Sequence, residues 1–137
     1  MRARFSDENL LEYNYFPSLT DIKKFYKLLN KHIFNNQLIQ PKLKLARLHG
    51  CWGDCSGYED SKIVIRLSQF HISLPSFLTT LGHEMVHQYQ WQIDGGRRIA
   101  KGKSPVMSHG PSFHKWRKKF DKFDMPLNEG IYKRDFS

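Results

Sequence analysis

The sequence predicts a single α+β domain, on three observations. An amphipathic helical stripe comes early in the chain, two short β-prone segments flanking a glycine-bearing loop follow it, and two further helical patterns come after these. The predicted order is therefore α, β, β, α, loop, α. With 137 residues, 39% hydrophobic and 14% aromatic, the chain can build one core and is too short for two ordinary domains.

Residues 1–17 mix charges, asparagines and aromatics without a period and read as a lead-in ending at Pro17. Ser18 or Thr20 then caps a helix whose apolar stripe is Ile22, Phe25, Tyr26, Leu29 and Ile33, with Lys23, Lys24, Lys27 and Lys31 mostly off it. Asn35, Asn36 and Pro41 punctuate the chain before a first strand at Leu43 and Leu45. The segment from His49 to Asp60, with Gly50, Gly53 and Gly57, reads as a turn or hairpin connection. Ile63-Val64-Ile65-Arg66-Leu67 is the strongest strand, short and β-branched. Ser73 and Pro75 announce a helix with Leu78, Leu81, Met85, Val86 and Tyr89, stopped at Gly95-Gly96. Beyond a basic loop, Pro111 suits the first turn of a last helix carrying Phe113, Trp116, Phe120 and Phe123. The domain is expected over residues 18–124, with 125–137 as a tail.

Composition excludes several classes. The longest charge-free stretch, Leu67 to His83, is interrupted by serines and threonines and falls short of the roughly 20 apolar residues that cross a bilayer, so no membrane partner is expected. Met1-Arg2-Ala3-Arg4 leads to Asp7 and Glu8 where a signal peptide would need an apolar region. Cys51 and Cys55 cannot make a disulfide framework, so an intracellular location is expected, cytoplasmic or nucleoid-associated, or in the host cytoplasm for a viral protein. The 22 Lys and Arg against 13 Asp and Glu give a formal charge of +9, which attracts polyanions.

The chemistry lies in His83-Glu84-Met85-Val86-His87. On a helix, positions i and i+4 project from one side a turn apart, so two imidazoles can grip one zinc ion. Catalytic zinc takes three protein ligands and keeps one position open for water. Glu84 is placed to take a proton from that water and pass it to a leaving amine. The third ligand must come from elsewhere. Gln90 and Ile93 stand where a metzincin needs glycine and histidine, and no downstream acid sits in a favourable helical context. That leaves His109 and His114, between which spacing does not choose.

The paired motifs, His83-Glu84-Met85-Val86-His87-Gln88 and Ser108-His109-Gly110-Pro111-Ser112-Phe113, resemble the SprT-like metalloprotease family, which includes Spartan-type proteases. The likeness extends upstream to Phe34-Asn35-Asn36-Gln37-Leu38 and Pro41, and covers roughly residues 18 to 123. It implies a small zincin-like fold of minigluzincin type. It also implies that His109 is the third zinc ligand, with one Zn2+ per chain, and that proteins bound or crosslinked to DNA are cleaved with stimulation by DNA. The chain departs from many SprT-like proteins in having no cysteine after Cys55, hence no C-terminal zinc ribbon, and no room for Spartan's partner-binding tail.

Charge is concentrated beside the second motif. Arg97, Arg98, Lys101, Lys103, Lys115, Arg117, Lys118, Lys119 and Lys122 face Asp121 alone between positions 97 and 122, which holds +8 of the total. One reading is a DNA surface beside the metal, with Trp116 stacking if exposed; the other is a solvated helix face with Trp116 in the core, and burial of Trp116 is favoured. Cys51, Cys55 and His49 have poor zinc spacing, so free thiols are expected. His32 and His71 read as ordinary surface or core residues. Tyr58, Tyr89 and Arg97 each qualify as oxyanion donor and the sequence prefers none. A substrate peptide is expected along the edge of the sheet, near Ile63. Two other functions compete: a non-catalytic zinc-containing nucleic-acid-binding protein, and a metallopeptidase indifferent to DNA.

Overall fold

Ser18 nucleates the first helix. Its hydroxyl accepts from the Asp21 amide at 3.1 Å while the Asp21 carboxylate accepts from the Ser18 amide at 3.0 Å, a reciprocal capping box. The computed structural model describes residues 13–57, 62–94 and 109–128. Helix α1 (Leu19–His32) buries Ile22, Tyr26 and Leu29, followed by Ile33 and Phe34 beyond its end. Asn35 and Asn36 then take left-handed backbone (φ 54° and 59°), which asparagine tolerates, and turn the chain toward the sheet. Ahead of the helix, Tyr15 exchanges backbone hydrogen bonds with His71, tying part of the lead-in to the domain.

The sheet has three strands, β1 (Lys42–Ala46), β2 (Gly53–Gly57) and β3 (Ile63–Ser68), in the order β1-β3-β2. β1 runs parallel to β3 and β2 antiparallel to it. The α+β class stands, with a strand more than expected: β2 lies within what the sequence presents as a turn. Its face toward the core is Gly53, Cys55 and Gly57, opposite Leu67, Ile65 and Ile63 of β3. The next helix, α2 (Leu74–Gln92), crosses that face so closely that a Cβ on Gly57 would lie 2.3 Å from Trp91 Cε2, and one on Gly53 3.0 Å from Thr80 Cγ2. Small residues are what let the helix down onto the strand. On the outer face, Asp54 opposes Arg66 in register and the two pair through both carboxylate oxygens.

α2 begins at the Ser73 cap, whose hydroxyl accepts from Ser76 N, with Pro75 in its first turn. Phe77, Leu81, Met85 and Val86 belong to the core, and Thr80, Gly82, His83, Glu84, Gln88 and Gln90 are buried too. A helix enclosed on so many sides runs through the middle of the domain. Its stop at Gln92 is described, while Gly95 and Gly96 lie outside the described residues.

The last predicted helix is two, α3 (Pro111–His114) and α4 (Arg117–Asp121), joined at Lys115 and Trp116. α4 ends in a Schellman turn: Asp124 is left-handed (φ 55°), its amide reaches Asp121 O at 3.1 Å, and the Met125 amide reaches Phe120 O at 3.1 Å. That turn takes Phe123 off the predicted stripe, leaving it exposed, and puts Met125 and Leu127 into the core instead. Phe120 and Met125 press on Gly82, where an added Cβ would sit 2.6 Å from Phe120 Cε2. The chain is thereby carried to Asn128 beside the middle of α2. No helix among the described residues is long and apolar enough to cross a membrane.

Candidate metal centre

α2 projects His83 and His87 from the same side one turn apart, with their Nε2 atoms 3.1 Å from each other. The other ring nitrogens are committed. His83 Nδ1–H donates to Asn128 O at 3.0 Å, and His87 Nδ1–H donates to Gln90 Oε1 at 2.7 Å. Both Nε2 lone pairs thus face a common point. His109, just before α3, brings its ring to 5.4 Å from His83 and 5.1 Å from His87 between centroids. One nitrogen of each of the three lies within 4.8 Å of the others, and the three form the one such cluster of His, Cys, Asp or Glu among the described residues.

This donor set fits a metal ion. Two nitrogens bound at 2.0–2.1 Å to one tetrahedral ion stand about 3.3 Å apart, close to the separation of His83 and His87. Phe113 supplies the floor: its ring lies 5.0 Å from His83, 5.4 Å from His87 and 4.9 Å from His109. That apolar contact holds the rings and keeps water from their backs. Burial, reinforced by His87 and His109, holds the His83 imidazole down to about 3. Burial lowers His87 as well, with His109 adding and Gln90 opposing. Burial and the neighbouring imidazoles favour neutral, metal-ready rings, and they outweigh the hydrogen bonds to Asn128 and Gln90.

Glu84 is buried beside this cluster, and burial together with the Asp54 carboxylate pushes its own carboxyl up to about 8. A cation nearby would reverse that cost. Burial raises the Cys51 and Cys55 thiols, Cys55 well above its ordinary range, and both are free cysteines outside the histidine cluster.

The remaining predicted residues divide clearly. His114 packs its ring on Phe113 at 5.4 Å and is not in the cluster, so proximity separates it from His109 as spacing does not. Arg97, Arg98, Lys101, Lys103 and Tyr58 lie outside the described residues. Lys115 pairs with Asp94 at 3.2 Å and sits over the Tyr89 ring; Lys119 lies over Trp116; Arg117 reaches Leu127 O at 3.4 Å; Lys118 is exposed. Trp116 is buried against Phe34 and Tyr89, which removes it as a stacking platform. Tyr89 belongs to the same aromatic cluster. His71 is in the core and its Nε2–H donates to Ser68 O, while His32 is exposed. Ile63 lies on the central strand, paired on both sides, so the sheet edge next to α2 is β2. Sequence reading missed the supports of the cluster: Gln90, legible as the i+3 neighbour of His87 on a helix, and the Asn128 carbonyl, for which no sequence signal exists.

A three-histidine cluster on a buried helix, laid over a small sheet and closed by a following segment, defines a small α+β domain compatible with the zincin-like class. The model of the SprT-like family matches residues 22–132, and the chain belongs to the SprT-like family, whose domain is metallopeptidase-like. A comparison with curated proteins finds no match.

Proposed function

We propose that this protein is a zinc-dependent metalloendopeptidase that cleaves DNA-associated or DNA-crosslinked proteins and is stimulated by DNA. The observation that carries the peptidase reading is the convergence of His83, His87 and His109 beside the buried Glu84. In this reading the three imidazoles hold Zn2+ through one nitrogen each. Bound there, zinc would supply a Lewis acid able to bring the pKa of a water to about 7. Glu84, enclosed beside the imidazoles, would act as the general base that accepts a proton from the attacking water and passes it to the departing amine. The substrate backbone pairs with the outer edge of β2, an edge strand among the described residues that runs beside α2 and would present the peptide in extended form.

The DNA part rests on family membership and on the excess of basic residues around the second motif. The free thiols Cys51 and Cys55 support an intracellular setting. Metal analysis of wild type, His109→Ala and His114→Ala tests the ligand set: about one zinc per chain, lost with His109 and kept with His114, is expected. Glu84→Gln is expected to keep zinc and fold but lose turnover; full retention of function would favour the non-catalytic nucleic-acid-binding alternative. Cleavage measured with and without DNA at low and high salt tests the stimulation, which must fall steeply as salt rises. Equal rates throughout would identify a metallopeptidase indifferent to DNA.

A further inference from the structure

We infer that Gln90 is a positioning residue that fixes the tautomer of His87 and couples it to the segment carrying His109. The inference rests on the metal-centre reading above and adds a role for a residue outside the two motifs. Gln90 is buried on α2, its Oε1 2.7 Å from His87 Nδ1 and its Nε2 2.9 Å from Ser112 Oγ, and Ser112 stands three residues after His109 in the first turn of α3.

An amide has one oxygen that only accepts and one nitrogen that only donates. In the structure Gln90 Nε2 is turned to the Ser112 hydroxyl and Oε1 to the imidazole. The oxygen is then turned to His87 Nδ1, and at 2.7 Å two lone pairs cannot face each other there. The ring proton then sits on Nδ1, leaving the Nε2 lone pair on the side shared with His83 and His109, where an ion would lie. Partners of this kind orient metal-ligating histidines and raise their basicity. The anchor of His83 is a backbone carbonyl that no substitution removes, whereas the anchor of His87 is a side chain, and one that also touches α3. The same amide therefore ties the pair of ligands on α2 to the third ligand's segment.

Gln90→Met keeps the volume and removes both hydrogen bonds. Gln90→Glu keeps both, because the Ser112 hydroxyl can turn to donate to the new carboxylate. Two measurements read the outcome: the His87 tautomer in metal-free protein by long-range 1H–15N correlation at neutral pH, and zinc affinity by competition with a chromophoric chelator. Wild type is expected to carry the proton on Nδ1. Gln90→Met is expected to populate the Nε2–H form and to bind zinc about 10- to 100-fold more weakly, while Gln90→Glu restores both readouts. Ser112→Ala, which removes the amide's partner on α3, is expected to weaken zinc binding by a smaller factor than Gln90→Met. An unchanged tautomer in Gln90→Met, or an affinity loss that Gln90→Glu does not rescue, would overturn the inference. Should Gln90→Met not fold, the wild-type tautomer decides, and a proton on His87 Nε2 in place of Nδ1 overturns the inference equally. If wild type binds no zinc, the metallopeptidase reading falls, and the metal-free tautomer measurement still judges Gln90.

Discussion

Glu84→Gln should reshape the pH dependence of folding in the metal-free protein. Burial and Asp54 lift the Glu84 carboxyl from its ordinary 4.5 to about 8, so between those values the folded chain holds a proton that the unfolded chain has released. Stability therefore falls as pH rises through that window. At about 1.4 kcal/mol per pH unit, Glu84 costs the metal-free fold about 4 kcal/mol at pH 7.5 and about 1 kcal/mol at pH 5. Glutamine cannot ionise and abolishes that slope. His83 acts with the opposite sign: the unfolded chain takes up a proton below its ordinary 6.5 that the folded imidazole, held near 3, refuses. That contribution is common to both variants and cancels in their difference. The assay is urea unfolding in chelator at pH 5 and 7.5. The stability advantage of Glu84→Gln over wild type should grow by about 3 kcal/mol between the two, a midpoint separation of about 1.5 M for a domain of this size. Added zinc should shrink the gap at pH 7.5. A difference that is the same at both pH values would refute the reasoning.

Four other substitutions test packing, backbone conformation and hydrogen bonding. Gly57→Ala forces a methyl against the Trp91 ring and should cost about 1–3 kcal/mol in chemical denaturation, whereas Gly50→Ala meets no neighbour and should cost only about 1 kcal/mol through its positive φ of 83°. Tyr26→Phe removes the donor to Gln88 Oε1 at 2.7 Å and should lower stability by about 1–2 kcal/mol, with metal stoichiometry unchanged on elemental analysis. Gly82→Ala should disturb Phe120 and Met125, and with them the strand-free segment that ends on His83, so metal affinity should fall together with stability; titration of metal into the folded variant checks the first and thermal melting the second.

Local patterns carried α1, β3 and α2 because each is strongly periodic or β-branched and is bounded by residues that start or stop it. The pair on α2 was legible for the same reason, since the helix converts a four-residue spacing into a shared direction. β2 was not legible. Gly-Asp-Cys-Ser-Gly has little strand preference, and it becomes a strand because β3 offers it an edge and α2 tolerates only small residues beneath it. The exposure of Phe123 arises from the turn that follows α4, in which Phe120 and Met125 close on Gly82, a contact between distant parts of the chain. His109 and His114 were equivalent by spacing and differ only in which ring reaches α2. The backbone carbonyl on His83 has no signature at all, because every residue has one.

The third histidine comes from a segment well downstream of the other two, and this would give a bound metal ion a mechanical role. An ion shared by His87 and His109 pins two distant points of the chain, as a disulfide would. Because an exchangeable ion leaves the unfolded chain, it would stabilise by binding the folded state alone, by about 2.7 kcal/mol at a hundredfold excess over its Kd. The residues that benefit are those beyond the pin, Phe113, Trp116, Phe120, Met125 and Leu127, which finish the core. Metal occupancy would then govern how long this closing segment stays docked as well as whether the centre can act, so that chelation should expose the segment to proteases before it unfolds the remainder.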